Sequence, residues 1–104
     1  MKDYFKFDER LGIRIPVFSK PWDEYSDSEQ QEILMLWEGI RGRIPDRIAE
    51  LEDIINEKQV QLGNELDFPR SCQLNSEISE HASIINDLWL WYRTNQKVSQ
   101  KGHF

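Results

Sequence analysis

The chain has 104 residues, a net charge of −6 and a 38% share of hydrophobic residues. Such a length suits one small domain, and the acidic balance argues against a protein that binds the phosphate backbone of nucleic acids. A single cysteine excludes an intrachain disulfide, and the lack of a long apolar run or of an apolar leader predicts a cytoplasmic protein without a membrane span.

Residues 1–25 have the pattern of an extended or β arm. Apolar and polar residues alternate on both sides of Leu11-Gly12, and Pro16 and Pro21 exclude a helix. The alternating apolar residues are Phe5, Phe7, Ile13, Ile15 and Val17. The pattern predicts a short β-hairpin or an irregular extended segment. Since an isolated hairpin is marginally stable in water, we expect the arm to pack on the rest of the chain.

A helical domain is predicted over residues 26–96, and its first helix covers about residues 28–43. Ser28 followed by acidic residues is typical of a helix start. Pro45 clashes with the preceding turn, so the chain bends or breaks near residues 41–45. Ile33 and Trp37 lie in the same angular sector as Ile48, which favours one long kinked helix. A fold-back into a three-helix bundle is the alternative.

Two longer apolar stripes follow and are separated by a short segment around Pro69. They predict helices over about residues 45–66 and 70–96 that form an antiparallel hairpin. The first stripe consists of Ile44, Ile48, Leu51, Ile55, Leu62 and Leu66. The second consists of Leu74, Ile78, His81, Ile85, Leu88 and Tyr92. The predicted fold class is therefore all-α: this hairpin, a preceding helix joined to it through the Pro45 kink, and the N-terminal arm. Residues 97–104 are expected to form a frayed tail.

The last predicted helix has an unusually wide apolar arc. Five large apolar residues are consecutive at its end: Leu88, Trp89, Leu90, Trp91 and Tyr92. They widen the arc to about 180°, against roughly 100° for an ordinary surface helix. One neighbouring helix cannot cover such an arc. We expect Phe5 or Trp22 of the arm, or a second subunit, to cover the remainder, and a homodimer with a four-helix core is the preferred arrangement.

These features predict a small helical protein–protein interaction module, a dimeric adaptor or regulator of a larger bacterial protein. The expected contact surface is formed by Trp89, Trp91 and Tyr92, and large exposed apolar patches usually mark such surfaces. Arg41 and Arg43 are expected to form a second, polar contact. The identity of the protein partner is not evident from the sequence, and no cofactor is expected.

The arginines near the bend have two interpretations. Arg41, Arg43 and Arg47 can bind an anion or an acidic partner, because the guanidinium fork matches carboxylate and phosphate groups. The favoured interpretation is that they pair with acids at helical spacing. The candidate acids are Glu38, Asp46 and Glu50.

A metal-dependent enzyme is the alternative function. Glu29 and Glu32, followed by Glu50 and Asp53, resemble in order and spacing the acidic pairs of all-α nucleotide pyrophosphohydrolases. The resemblance covers these four residues and implies that their carboxylates hold Mg²⁺ against phosphates. Since acidic residues are frequent in the chain, such pairs arise easily by chance, and we expect no enzymatic activity.

His81 and Cys72 of the last predicted helix are two further candidate site residues. His81 shares a helix face with Glu77, a spacing that can bind a metal. The preferred prediction is that His81 is hydrogen-bonded across the interface between helices. Cys72 is expected to be a small, partly buried side chain.

Overall fold

The computed structural model describes residues 4–93 and confirms the all-α hairpin with a short β-hairpin before it. In chain order the elements are β1 (Phe5–Asp8), β2 (Ile13–Pro16), a 3₁₀ turn (Trp22–Glu24), α1 (Asp27–Arg41), α2 (Ile44–Gly63) and α3 (Phe68–Tyr92). The molecule is elongated, with principal extents of 59 × 25 × 21 Å. The predicted end of the last helix, residues 94–96, and the predicted tail, residues 97–104, lie outside the described residues.

The predicted kink near Pro45 is confirmed, because α1 and α2 form one long bent helix. Gly42 and Arg43 both keep right-handed helical dihedral angles, with φ values of −63° and −92°. Pro45 has no N–H to donate to the carbonyl of Arg41, so one intrahelical hydrogen bond is lost and the axis bends there. The fold-back alternative does not occur.

The helix ends differ from the prediction by a few residues, for local reasons. The cap of α1 is Ser26 rather than Ser28: the Ser26 hydroxyl accepts from the Glu29 N–H, and the Glu29 carboxylate accepts from the Ser26 N–H. Gly63 and Asn64, both weak helix formers, end α2 before residue 66. Leu66 therefore lies in the loop and is fully exposed rather than in the first apolar stripe.

The arm forms a two-stranded antiparallel ribbon whose register divides its apolar residues between two faces. Phe7 pairs with Arg14, and Asp8 pairs with Ile13. Residues directly opposite each other share a face, so Phe7 and Arg14 lie on one side and Ile13 on the other. Gly12 closes the turn with a φ of +75°, a backbone conformation that residues other than glycine rarely adopt.

Two arginines fix the tip of this ribbon to the helical hairpin. Arg10 donates to Glu80 at 3.2 Å, to Ser83 at 3.0 Å and to Asp87 at 2.8 Å, all on α3. From α2, Arg47 donates through Nε to the carbonyl oxygen of Leu11 at 3.0 Å. The arm is thus a third layer that lies against α2 and α3 near the bend.

Trp37 of α1 is the centre of the aromatic core. It is fully buried, with Phe5 stacked on one side at 6.4 Å between ring centroids and Trp91 edge-on at 5.7 Å. Of the two arm residues expected to cover the last helix, Phe5 therefore lies against Trp37, which in turn contacts Trp91. Trp22 is buried instead against Phe18, at 5.7 Å between centroids.

The aliphatic core continues from the bend into the hairpin. Its buried members are Ile33, Ile44, Ile48, Leu51, Leu74, Ile84 and Leu88. Farther along the hairpin only Leu74 is buried, so the apolar contact between α2 and α3 is small at that end. Within residues 4–93, no helix combines the length and the apolar character that crossing a membrane requires.

We predict that Trp37→Ala destabilises the protein by about 3–5 kcal/mol, because the change leaves a cavity between Phe5 and Trp91. The free energy of unfolding from urea denaturation measures the effect. Met35→Ala, on an exposed side of the same helix, is the matched control and should change the free energy by less than about 0.5 kcal/mol. Equal effects of the two substitutions would contradict the central position of Trp37.

Candidate functional site

Within residues 4–93, the arm covers one side of the α2–α3 hairpin and leaves the opposite side uncovered. Its side-chain hydrogen bonds to α3 run from Arg10 to Glu80, Ser83 and Asp87. At about 100° per residue, Ala82, Ile85 and Trp89 project from the other side of α3. This second side, with the part of α2 beside it, is called the open face below.

The open face contains a shallow groove of about 510 Å³ between α2 and α3. Its floor is apolar and its α2 edge is acidic. The apolar lining comes from Ala49, Ile55, Ala82 and Ile85, and the acidic edge from Glu52 and Asp53. Trp89 lies four residues after Ile85 and thus extends the apolar floor toward the bend.

The expected aromatic surface residues have different surroundings. Trp89 is 39% exposed and packs edge-on against Tyr92, at 5.5 Å between centroids. Trp91 is half-buried and faces Trp37 of the core. The half-buried Tyr92 carries the Arg41 guanidinium over its ring at 4.5 Å. Trp89, Tyr92 and Arg41 therefore form one cluster, while Trp91 contributes mainly to the interior.

The two arginines expected to form a polar contact lie apart. Arg41 donates to the Tyr92 carbonyl oxygen at 2.7 Å and pairs with Glu38 at 3.2 Å. Arg43 lines a separate groove beside the arm and makes no side-chain hydrogen bond or ion pair within residues 4–93. The predicted pairing at helical spacing is thus confirmed for Arg41, and also for Arg47 with Glu50 at 3.6 Å.

The two acidic pairs of the alternative enzyme lie in separate parts of the molecule, and one carboxylate of each pair has a partner of its own. Glu29 belongs to the α1 cap and also accepts from the Tyr4 hydroxyl at 3.4 Å, whereas Glu50 pairs with Arg47. At a rise of roughly 1.5 Å per residue, Glu29 and Glu50 are about 30 Å apart along the bent helix. In the part of the chain that the structure describes, no three acidic, histidine or cysteine side chains form a group that could hold a metal ion.

Glu77 and His81 make hydrogen bonds to groups of α2 and α3. Glu77 accepts from Lys58 of α2 at 2.9 Å, and His81 Nδ1 lies 2.7 Å from the Glu77 carbonyl oxygen. The prediction that His81 bonds across the interface is wrong, since the nearest polar group is the carbonyl one turn earlier in its own helix. Cys72 is exposed rather than partly buried, because it lies two residues before the inward-facing Leu74.

The groove beside the arm was not expected from the sequence. It is lined by Phe7 and Arg14 of the ribbon together with Arg43 and Arg47 near the bend. Only the strand register brings Phe7 and Arg14 to one side, and alternation alone does not reveal that register. The basic cluster at the bend was the one available signal.

Comparisons with models of known protein families, with curated proteins and with solved structures find no match for this chain. The chain's own surfaces are therefore the basis for a functional proposal. Two of them combine exposed apolar side chains with a defined charge pattern: the open face and the groove beside the arm.

We predict that the Lys58–Glu77 pair makes stability depend on pH. The hydrogen bond from Lys58 holds the pKa of Glu77 below its usual range. The stabilisation is therefore fully present above the ordinary glutamate pKa of about 4.3 and is lost as the pH falls through the lowered value. In thermal melts, Glu77→Gln should lower the melting temperature at neutral pH, and the difference from wild type should shrink below about pH 4.

The control is Glu57→Gln, which removes an exposed carboxylate of α2 that has no ion pair with any residue between 4 and 93. This variant should melt like the wild type throughout the same pH range. A melting difference for Glu77→Gln that stays constant from neutral to acid pH would contradict the pairing.

Proposed function

We propose that this chain is a small cytoplasmic protein-binding module, a dimeric adaptor or regulator, in which two copies pair through the open face. The observation that supports the proposal is the apolar stripe of Ile85 and Trp89 on the side of α3 that the arm leaves uncovered. Exposed aromatic rings next to half-buried aliphatic side chains are typical of interaction surfaces.

Pairing of two hairpins gives the stripe a helical neighbour on its open side. The α2 and α3 helices of both copies would form a four-helix core of the kind that soluble bundles use. Ile78 and Ile85, which are half-buried in one copy, would then be fully enclosed together with Trp89. Full burial of a large side chain from an exposed state contributes roughly 1.5–3 kcal/mol, and these partly buried side chains would each contribute a fraction of that value.

The charge pattern of the open face favours a second copy over an unrelated apolar helix. Glu52 and Asp53 make its middle acidic. Arg93, four residues after Trp89, makes the end near the bend basic, and Arg41 is adjacent to Tyr92. A two-fold axis close to Trp89 would bring the basic end of each copy onto the acidic middle of the other. Such self-complementarity is what an isologous interface requires.

The nucleotide hydrolase has no support among the described residues and is not proposed. Its two acidic pairs occupy distant turns of the bent helix, and two of the four carboxylates have partners of their own. Metal-assisted phosphate chemistry needs carboxylates that converge on one site.

We predict that Trp89→Asp prevents dimer formation, because it introduces a charge at the centre of the apolar stripe. Loss of a central interface tryptophan typically costs about 2 kcal/mol or more, roughly a thirtyfold rise in the dimer dissociation constant. Sedimentation velocity over a series of concentrations measures the constant. Ala82→Glu, an exposed substitution that retains a good helix former, should act in the same direction without disturbing the core.

The matched control is Phe68→Asp, which introduces the same charge in place of another exposed aromatic at the far end of α3. It should leave the dissociation constant unchanged. A wild type that stays monomeric at high micromolar concentration would remove the dimer from the proposal, as would a Trp89→Asp protein that associates as strongly as the wild type.

A further inference from the structure

A second groove lies between the ribbon and the bend of the long helix. Its volume is about 550 Å³, within the usual range for ligand sites, and it is open along one side. It lies near the α1–α2 bend, and its lining includes none of the residues that line the groove of the open face. The open face and this groove therefore have separate linings.

The floor of the groove is apolar. Ile40 is half-buried and Phe7 is 56% exposed. Both line the groove, and a phenylalanine that keeps more than half of its surface in water can bind an apolar side chain there. The floor thus supplies the apolar half of a binding site.

Three guanidinium groups line the same groove. Arg47 is held in position by the Leu11 carbonyl oxygen at 3.0 Å and by Glu50 at 3.6 Å. Arg14 lies over the Phe5 ring at 5.7 Å, and within residues 4–93 neither Arg14 nor Arg43 has a carboxylate partner. Arg14 and Arg43 are exposed, so both guanidinium groups are accessible to a ligand that enters the groove.

The lining also limits the kind of anion that fits. Asp46 and Glu50 lie in the groove beside the arginines. Their negative charges oppose a compact dianion such as phosphate more strongly than a singly charged carboxylate. Because one side of the groove is open, it encloses a side chain of a longer segment better than a whole small molecule, which ordinarily needs most of its surface buried.

We propose that this groove binds an acidic segment of a partner protein, with carboxylates on Arg14 and Arg43 and an apolar side chain on Phe7 and Ile40. The inference names the partner chemistry of the adaptor function proposed above and rests on it. Charge-assisted contacts to carboxylates supply selectivity, and the apolar seat fixes the register of the segment.

The test is a titration of the full chain with a capped peptide in which leucine and glutamate alternate, followed through backbone amide chemical shifts. Shift changes are expected at Phe7, Ile40, Arg43 and Asp46. Arg43→Gln and Arg14→Gln should each weaken binding roughly tenfold, as expected for loss of a charged hydrogen bond. Lys6→Gln is the matched control, since Lys6 pairs with Ile15 on the other face of the ribbon, and it should leave binding unchanged.

Several outcomes would overturn the inference: no shift changes at millimolar peptide, equal binding by Arg43→Gln, or equal binding of a peptide with glutamine in place of glutamate. Stronger binding of inorganic phosphate or of octanoate at the same residues would also overturn it, in favour of a small anion or an acyl carboxylate. Trp89→Asp separates this inference from the dimer. Peptide binding by a monomeric variant supports the groove alone, whereas dimerisation without peptide binding rejects only the groove.

Discussion

The burial of Trp37 between Phe5 and Trp91 is the contact on which the rest of the structure depends. It connects three segments that are distant in sequence: the first strand, the helix before the bend and the last turns of α3. A helical hairpin of this length buries too little by itself, as the exposed and half-buried residues around Leu74 at its far end indicate. The aromatic contact supplies a third layer at the other end, where the buried side chains are concentrated.

Among the residues that the structure describes, the third layer covers one side of the hairpin and not the other, and this asymmetry produces the candidate surfaces. Arg10 fixes the ribbon to the side of α3 that carries Glu80 and Asp87, which leaves the side with Ile85 and Trp89 uncovered. The same ribbon forms the wall of the second groove, where its Phe7 and Arg14 meet the bend. One short arm thus separates the open face, where we propose that a second copy binds, from the groove where we propose that an acidic segment binds.

The hairpin and the bend could be predicted from the sequence because each depends on local rules. Apolar residues at steps of three and four identify the helices. Pro45 removes one helical hydrogen bond regardless of the tertiary fold. The direction of Trp91 could not be predicted, since five consecutive large residues cover most sides of a helix and only the position of Trp37 selects among them. The groove beside the arm depends on a strand register that alternation does not specify. His81 lies within hydrogen-bond distance of a carbonyl oxygen of its own helix, whereas a partner on the other helix was expected.

The four tryptophans allow the central claim to be measured directly in the wild-type protein. Broadening of the indole N–H signals by a soluble paramagnetic agent, at a dilution that keeps the protein monomeric, reports the exposure of each ring to water. The account predicts that Trp37 and Trp22 are protected, that Trp91 is intermediate and that Trp89 is broadened most. Equal broadening of Trp37 and Trp89 would contradict it, because the arm would then not close over the core.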